Sequence, residues 1–374
     1  VDSWDCRLWE DRILNLKTWG WCLGSSFDVA FAQFKQTRST GFVAARVISE
    51  HRGSYRIYME TGEADAHVTG HFRHEAESPL MFPAVGDWVV VEPQGDNRSA
   101  VIHEVLPRTG QFVRKMAGTP TEGQIVAANV DTVFLMSGLD GDFNVRRIER
   151  YLVTAWESGA TPIVILNKAD QCADLAKAIA LVQDSVMGVP IYPISATTGQ
   201  GLEQLEVYLR PGQTIALIGS SGVGKSTLTN YWLGQQQQAT QAVRTDDSRG
   251  RHTTTHRQLI LLPSGALLID TPGMRELQLW SDGSGLQETF GDIESLAATC
   301  KFHDCQHDTE PGCAVQEAIV LGTLDPQRLQ SYQKLQREQQ WLEQRQDSHV
   351  RHNTKRRWKQ ITKTIRHQKK YPHS

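Results

Sequence analysis

The rhythm of hydrophobic and polar positions changes three times along this chain, and each change predicts a different kind of structure. Residues 1 to about 35 scatter Trp4, Trp9, Trp19 and Trp21 among polar residues and then set Phe27, Phe31 and Phe34 at helical spacing, which predicts a short lead-in with one packing face. From Thr40 to Lys115 the text breaks into brief alternating runs between turn residues: Gly41–Ser49, Ser54–Glu60, Ala64–Phe72, Asp87–Glu92 and Ala100–Leu106. Five short strands predict a small closed β-barrel of the OB type, an architecture that presents a face to nucleic acid in many proteins. From Asn129 onward, apolar runs at Val130–Met136, Pro162–Leu166, Thr214–Ile218 and Ala266–Ile269 alternate with helical stretches such as Val145–Ser158. That alternation predicts an α/β domain with a parallel sheet covered on both faces. Beyond Ser281 the text is helical and polar, with a Gln-rich helix over 326–346. The expected division is a lead-in (1–39), an OB-like barrel (40–115), an α/β domain (116–283), a mainly helical domain (284–346) and a tail (347–374).

Composition narrows the function classes. With 374 residues, 39% of them hydrophobic and 22% charged, the chain has material for two or three cores and is neither disordered nor collagenous. The stretch Leu259–Ile269 is interrupted by Pro263, Ser264 and Gly265 and falls short of the roughly 20 apolar residues of a membrane span. No secretory pattern opens the chain, and six cysteines in so long a chain fit reduced thiols, so a cytoplasmic location without membrane contact is expected. The net charge of −3 conceals an asymmetry: residues 345–374 carry ten Lys and Arg against one Asp, which leaves −12 on the remainder. Such a tail reads as a nucleic-acid arm.

The chemistry concentrates in the α/β segment. Gly219-Ser220-Ser221-Gly222-Val223-Gly224-Lys225-Ser226 follows an apolar run and precedes a helical stretch from Thr227, the context of a phosphate-binding loop. Its glycines let backbone N–H groups face phosphate oxygens, Lys225 neutralises the outer phosphates, and Ser226 offers a hydroxyl to Mg²⁺. The base is indicated by Asn167-Lys168-Ala169-Asp170. The Asp170 carboxylate can accept from N1–H and the exocyclic amine of guanine, Asn167 can bond the other edge, and the Lys168 stem can lie over the ring. Adenine would leave that acceptor unpaired, at a cost of about 1–3 kcal/mol or more, which argues against an ATPase. Ser195-Ala196 resembles the loop that gives guanine a backbone contact in GTPases. Asp270-Thr271-Pro272-Gly273 supplies Asp270 for Mg²⁺ through a water and the Gly273 N–H for the γ-phosphate. In Arg249-Gly250-Arg251-His252-Thr253-Thr254-Thr255, either Thr254 or Thr255 is expected to cap Mg²⁺. The guanine motif precedes the phosphate loop here, whereas ordinary GTPases have the reverse order. The domain is therefore expected to be circularly permuted.

Cys300, Cys305, His307 and Cys313 form C-x4-C-x-H-x5-C, a donor set suited to one structural zinc ion, with His303 as a rival imidazole. Taken in order, the barrel, Asp142-Phe143-Asn144 with Arg146–Tyr151, NKAD, SATTGQG, GSSGVGKS, GRHTTT, DTPGMREL and the cysteine cluster resemble the RsgA (YjeQ) family of bacterial small-ribosomal-subunit-dependent GTPases. The lead-in and tail lie outside the resemblance. It implies a GTPase of late small-subunit maturation that touches ribosomal RNA through both flanking domains, and it favours His307 over His303. It also makes His252 the residue that orients the attacking water. Met274 stands where many GTPases carry a glutamine, so turnover is expected to be slow until the subunit completes the site. The chain is expected to act as a monomer. The alternative reading is an RNA-binding scaffold whose guanine-nucleotide site senses without useful turnover.

Overall fold

The computed structural model describes residues 16–38, 41–51, 53–95, 98–115, 123–234, 257–270 and 283–344. His252, Thr253, Thr254, Thr255, Gly273 and Met274, the first two tryptophans and the basic tail lie outside these residues; of Asp270 only the backbone is described.

A helix at Ser26–Thr37 starts at Ser25, whose Oγ accepts from Asp28 N at 3.2 Å, and buries Phe27, Phe31 and Phe34 on one side. Together with Trp21 it packs on Trp88 of the barrel, the two indoles 4.8 Å apart. Strands β1 (Val43–His51), β2 (Ser54–Met59), β3 (Gly62–Val68), β4 (Trp88–Gln94) and β5 (Ser99–Val105) follow in the order β1-β2-β3-β5-β4, and β4 closes on β1. The barrel interior is narrow and filled by small and branched residues, among them Ala45, Val47, Ile57, Ala100 and Ile102, all fully buried. The third run ends earlier than its alternation predicts. Thr69 leaves the strand and accepts from Phe72 N at 2.9 Å, so Gly70–Glu75 winds into a helix between β3 and β4. A two-stranded ribbon, β6 (Gln111–Lys115) with β7 (Gly123–Ala128), leads out of the barrel.

The central sheet runs β10 (Ile191–Pro193), β9 (Thr161–Asn167), β8 (Thr132–Gly138), β11 (Thr214–Gly219), β13 (Leu267–Asp270) and β12 (Arg257–Leu261), parallel except for β12. Alternate residues of one strand feed opposite faces. Val133 and Leu135 join the core beneath helix Val145–Glu157, and Phe134 and Met136 the core with Leu202, Leu205 and Leu228. β12 then pairs with β1 through Ser49↔Gln258 and Glu50↔Arg257, so the barrel is hydrogen-bonded to the sheet.

Two buried guanidinium groups fasten the parts. Arg46 of β1 donates to Gly86 O at 3.3 Å, to Thr214 Oγ1 at 2.8 Å and to Trp19 O, and lies over the Trp88 ring. Burial brings its pKa down to about 10, opposed by Asp131 and Asp87. Arg328, on the helix over 326–344, joins the C-terminal region to the sheet: it donates to Glu149 Oε1 at 2.9 Å, to Ser185 O at 3.0 Å and to Asp292 at 2.7 and 2.8 Å. Arg328→Ala would remove one of the two guanidinium partners of the fully buried Glu149, the other being Arg146, together with the bonds to Ser185 O and Asp292. Chemical denaturation is expected to show a loss of about 3–5 kcal/mol; a loss under 1 kcal/mol would make the pair dispensable.

Candidate nucleotide site and metal centre

Every nucleotide motif described sits at the carboxyl end of a parallel strand, where open α/β sheets bind ligands. The phosphate loop leaves β11, the central strand, and opens helix Lys225–Leu233. Gly222 (φ 73°) and Gly224 (φ 105°) take left-handed backbone conformations that disfavour side chains. Among the described residues no side chain caps this helix, which leaves its first N–H groups facing the loop where an anion would sit. Lys225 folds back over the loop, Nζ donating to Gly219 O and Ser220 O at 2.7 Å each. Ser221, Gly222, Ser226 and Thr227 are exposed on the same rim, while Val223 is buried beneath it.

Asn167 ties this loop to two others. The side chain, 3% exposed at the end of β9, donates from Nδ2 to Val223 O at 2.7 Å and accepts at Oδ1 from Ala196 N at 2.9 Å. A Cβ at Gly224 would meet Asn167 Nδ2 at 2.2 Å, so the glycine is also what lets the amide in. Ala169 N donates to Ile194 O at 3.0 Å, holding the guanine motif against β10. Ser195 is buried, its Oγ accepting from Thr198 N at 3.2 Å. Lys168 is left-handed (φ 66°), which turns Asp170 outward at the start of the short helix Ala169–Gln171, where it is exposed. The structure thus brings Asn167, Lys168, Ala169, Asp170, Ser195, Ala196 and the phosphate loop together at one sheet edge.

Two carboxylates without an assigned role in the sequence belong to the same edge. The loop after β8 carries Asp140, which accepts from Lys168 Nζ at 2.5 Å, and Asp142, which accepts from Ser220 Oγ at 2.7 Å and from both Arg147 terminal nitrogens at 2.5 and 2.9 Å. Lys168 lowers the Asp140 pKa; Arg147, with help from Ser220, holds that of Asp142 at about 2. Their position after the strand next to β11 is the signal that would have found them.

In the C-terminal region the ligand atoms of Cys300, Cys305, His307 and Cys313 all lie within 4.8 Å of one another. Cys300 Sγ is 3.6 Å from His307 Nδ1 and 3.9 Å from Cys313 Sγ, and Cys313 Sγ is 3.5 Å from His307 Nδ1. Tetrahedral bonds of about 2.3 Å to sulfur and 2.0–2.1 Å to nitrogen require edges of about 3.8 Å (S to S) and 3.6 Å (S to N). The cluster could therefore hold a metal ion. His303 is exposed and outside it.

A family model described as RsgA GTPase matches residues 105–280. A model for ABC transporters matches residues 202–369, a span that takes in the phosphate loop and not Asn167–Asp170. The chain is 53% identical over 302 residues to small ribosomal subunit biogenesis GTPase RsgA 2 of Lactiplantibacillus plantarum, covering 81% of this chain and 85% of that one. Among solved structures it resembles YjeQ from Thermotoga maritima, with a TM-score of 0.58, 28% identity, and 79% and 97% of the two chains covered. It also resembles YloQ, a circularly permuted GTPase, with a TM-score of 0.57, 25% identity, and 82% and 96% covered. A permuted sheet with its guanine motif on β9 and its phosphate loop on β11, a closed five-strand barrel before it and a Cys/His cluster after it agree with these likenesses: the chain belongs to the RsgA GTPase family.

Proposed function

We propose that this GTPase acts in late maturation of the small ribosomal subunit in the cytoplasm, binding ribosomal RNA and hydrolysing GTP in a site that the subunit completes. The observation that carries the reading is the bridge at Asn167, which joins the guanine motif, the Ser195-Ala196 loop and the phosphate loop in a single pocket edge. The names of its relatives support the ribosomal part, and the barrel and the basic tail suit RNA. In this reading Asp170 selects guanine and Lys225 neutralises the outer phosphates. Asp270 and Gly273 follow the γ-phosphate. Ser226, with Thr254 or Thr255, would hold Mg²⁺, which would supply positive charge against the phosphates. His252 orients the water, since Met274 can neither donate nor accept a proton. Zinc, held by Cys300, Cys305, His307 and Cys313, is structural.

Multiple-turnover phosphate release, with GTP or ATP and with or without small subunits, tests this. Slow GTP turnover, strongly stimulated by subunits, is expected, the stimulation approaching in the limit the roughly 10⁵-fold known for externally completed GTPase sites. His252→Ala should abolish the stimulated rate and keep GTP affinity. GTP binding without stimulated turnover would replace the reading with a guanine-nucleotide sensor, and ATP turnover would replace it with an ATPase.

A further inference from the structure

We infer that the cleft between helix Val145–Glu157 and the helix over 326–344 is a seat for the phosphodiester backbone of RNA; the inference rests on the ribosomal reading above and gives it a contact point between two domains. The cleft has a volume of about 450 Å³ and takes Arg146, Arg147 and Arg150 from the first helix and Lys334, Gln330 and Ser331 from the second. Among the described residues no carboxylate and no aromatic ring lines it. The missing carboxylates select an anion, and the missing rings leave bases nothing to stack on, so the contact is to phosphate and independent of sequence.

The arginines arrive already aimed. Arg147 forks onto Asp142, Arg150 onto Glu338 at 2.9 and 2.6 Å, and Arg146 reaches Glu149 at 2.5 Å and Asp325. These four acids match the formal charge of the three arginines and Lys334, yet they stand outside the cleft lining and fix arginine side chains that remain 26–34% exposed. Each guanidinium has five N–H donors, so donors remain for phosphate oxygens, and little rotamer freedom is lost in meeting them. Lys334 forms no ion pair among the described residues and is exposed. Arg146 and Arg150 stand one turn apart, about 5–6 Å between Cβ atoms, and Lys334 faces them across the cleft. That spread suits successive phosphates of a strand better than one compact anion. Phosphate drawing on Arg147 shares it with Asp142, which also holds Ser220, so occupation is felt one hydrogen bond from the nucleotide loop.

The test compares the full chain with Lys334→Ala and Lys334→Glu, using a short labelled single-stranded RNA and, separately, inorganic tripolyphosphate, across a series of salt concentrations. Lys334→Ala should reduce the slope of log affinity for RNA against log salt by about 0.7, and Lys334→Glu by more, with unchanged melting temperatures. An unchanged slope in both variants overturns the seat and leaves RNA to the barrel and tail. Weakened tripolyphosphate binding with an unchanged RNA slope also overturns it, in favour of a free-anion pocket. Subunit-stimulated GTP turnover of the unmodified chain, measured alongside, judges the ribosomal reading by itself, because the RNA slope decides the cleft whichever way turnover goes.

Discussion

Asp170→Asn is expected to exchange the base preference of the nucleotide site, with GTP affinity falling by about 10⁴-fold and xanthosine triphosphate becoming the better ligand. The preceding residues leave Asp170 little choice of position. Asn167 is locked to Val223 O and Ala196 N, Lys168 is turned left-handed and held by Asp140, and Ala169 N is bonded to Ile194 O. A carboxylate so placed offers two acceptors to the two donors on one edge of guanine. An amide turns an N–H₂ toward the 2-amino group, donor against donor, and the penalty is that of buried polar groups left unpaired. Xanthine carries a carbonyl at that position, which the amide can satisfy. Competition binding with labelled GTP measures the exchange. Unaltered GTP affinity in the variant, or equal retention of ATP and GTP by the unmodified chain, would take Asp170 out of the base site. Asp142→Asn is the matching control, since that carboxylate bears on Ser220 and Arg147 and should alter affinity without altering base preference.

What the sequence disclosed about this site, and what it hid, divides by range. The meeting of Gly222, Gly224, Lys225 and Asn167-Lys168-Ala169-Asp170 at one edge was legible because motifs of the phosphate-loop and base-clamp kind have residue types at fixed short spacing. Each also follows an apolar run that must be a sheet strand, and such strands in a parallel sheet end on one edge. Asp140 escaped, and Asp142 stood out only as part of the Asp142-Phe143-Asn144 run without a role, because an Asp-Gly-Asp turn reads as an ordinary loop; only the adjacency of β8 and β11 gives them partners. Arg46 and Arg328 escaped for a stronger reason. Burying a guanidinium requires acceptors from several distant segments, as the Trp19 and Gly86 carbonyls and the Thr214 hydroxyl are for Arg46, and no local pattern announces that. In the barrel, Ala64, Ala66 and Val68 showed the strand, while the continued alternation to Phe72 concealed the helix that Thr69 starts. Five short runs predict a closed barrel, but which strands close it, β4 on β1, and the bond of β1 to β12 are long-range pairings, invisible to periodicity.

Removing metal from the Cys300, Cys305, His307 and Cys313 cluster is expected to unfold the C-terminal region while the nucleotide site keeps its ligand. Residues 300–313 contain only turns, and what they can pack is slight: Phe302 and the neighbours of Cys305 are exposed. Cys313 also caps helix Ala314–Val320, its Sγ accepting from Gln316 N at 3.4 Å, while Gln316 Nε2 reaches His307 O at 2.6 Å, so the cluster pins the loop to the helix. Structural zinc contributes an apparent 10–16 kcal/mol or so in small domains, and Cys300, Cys305 and Cys313 pack with the neighbouring core of Phe290, Ile293, Leu329 and Tyr332. Metal analysis should find one zinc per chain, and Cys313→Ser or His307→Ala should release it, with His303→Ala retaining it. Chelation of the full chain should then remove a cooperative share of the helical circular dichroism. Because Arg328, Asp325 and Glu338 grip helix Val145–Glu157, the same treatment should lower the melting temperature of the sheet domain without abolishing GTP binding. An unchanged spectrum and melting curve in protein shown to be free of metal would reduce the cluster to four packed side chains, and a loss of GTP binding in step with metal would mean that the C-terminal region helps to form the nucleotide site.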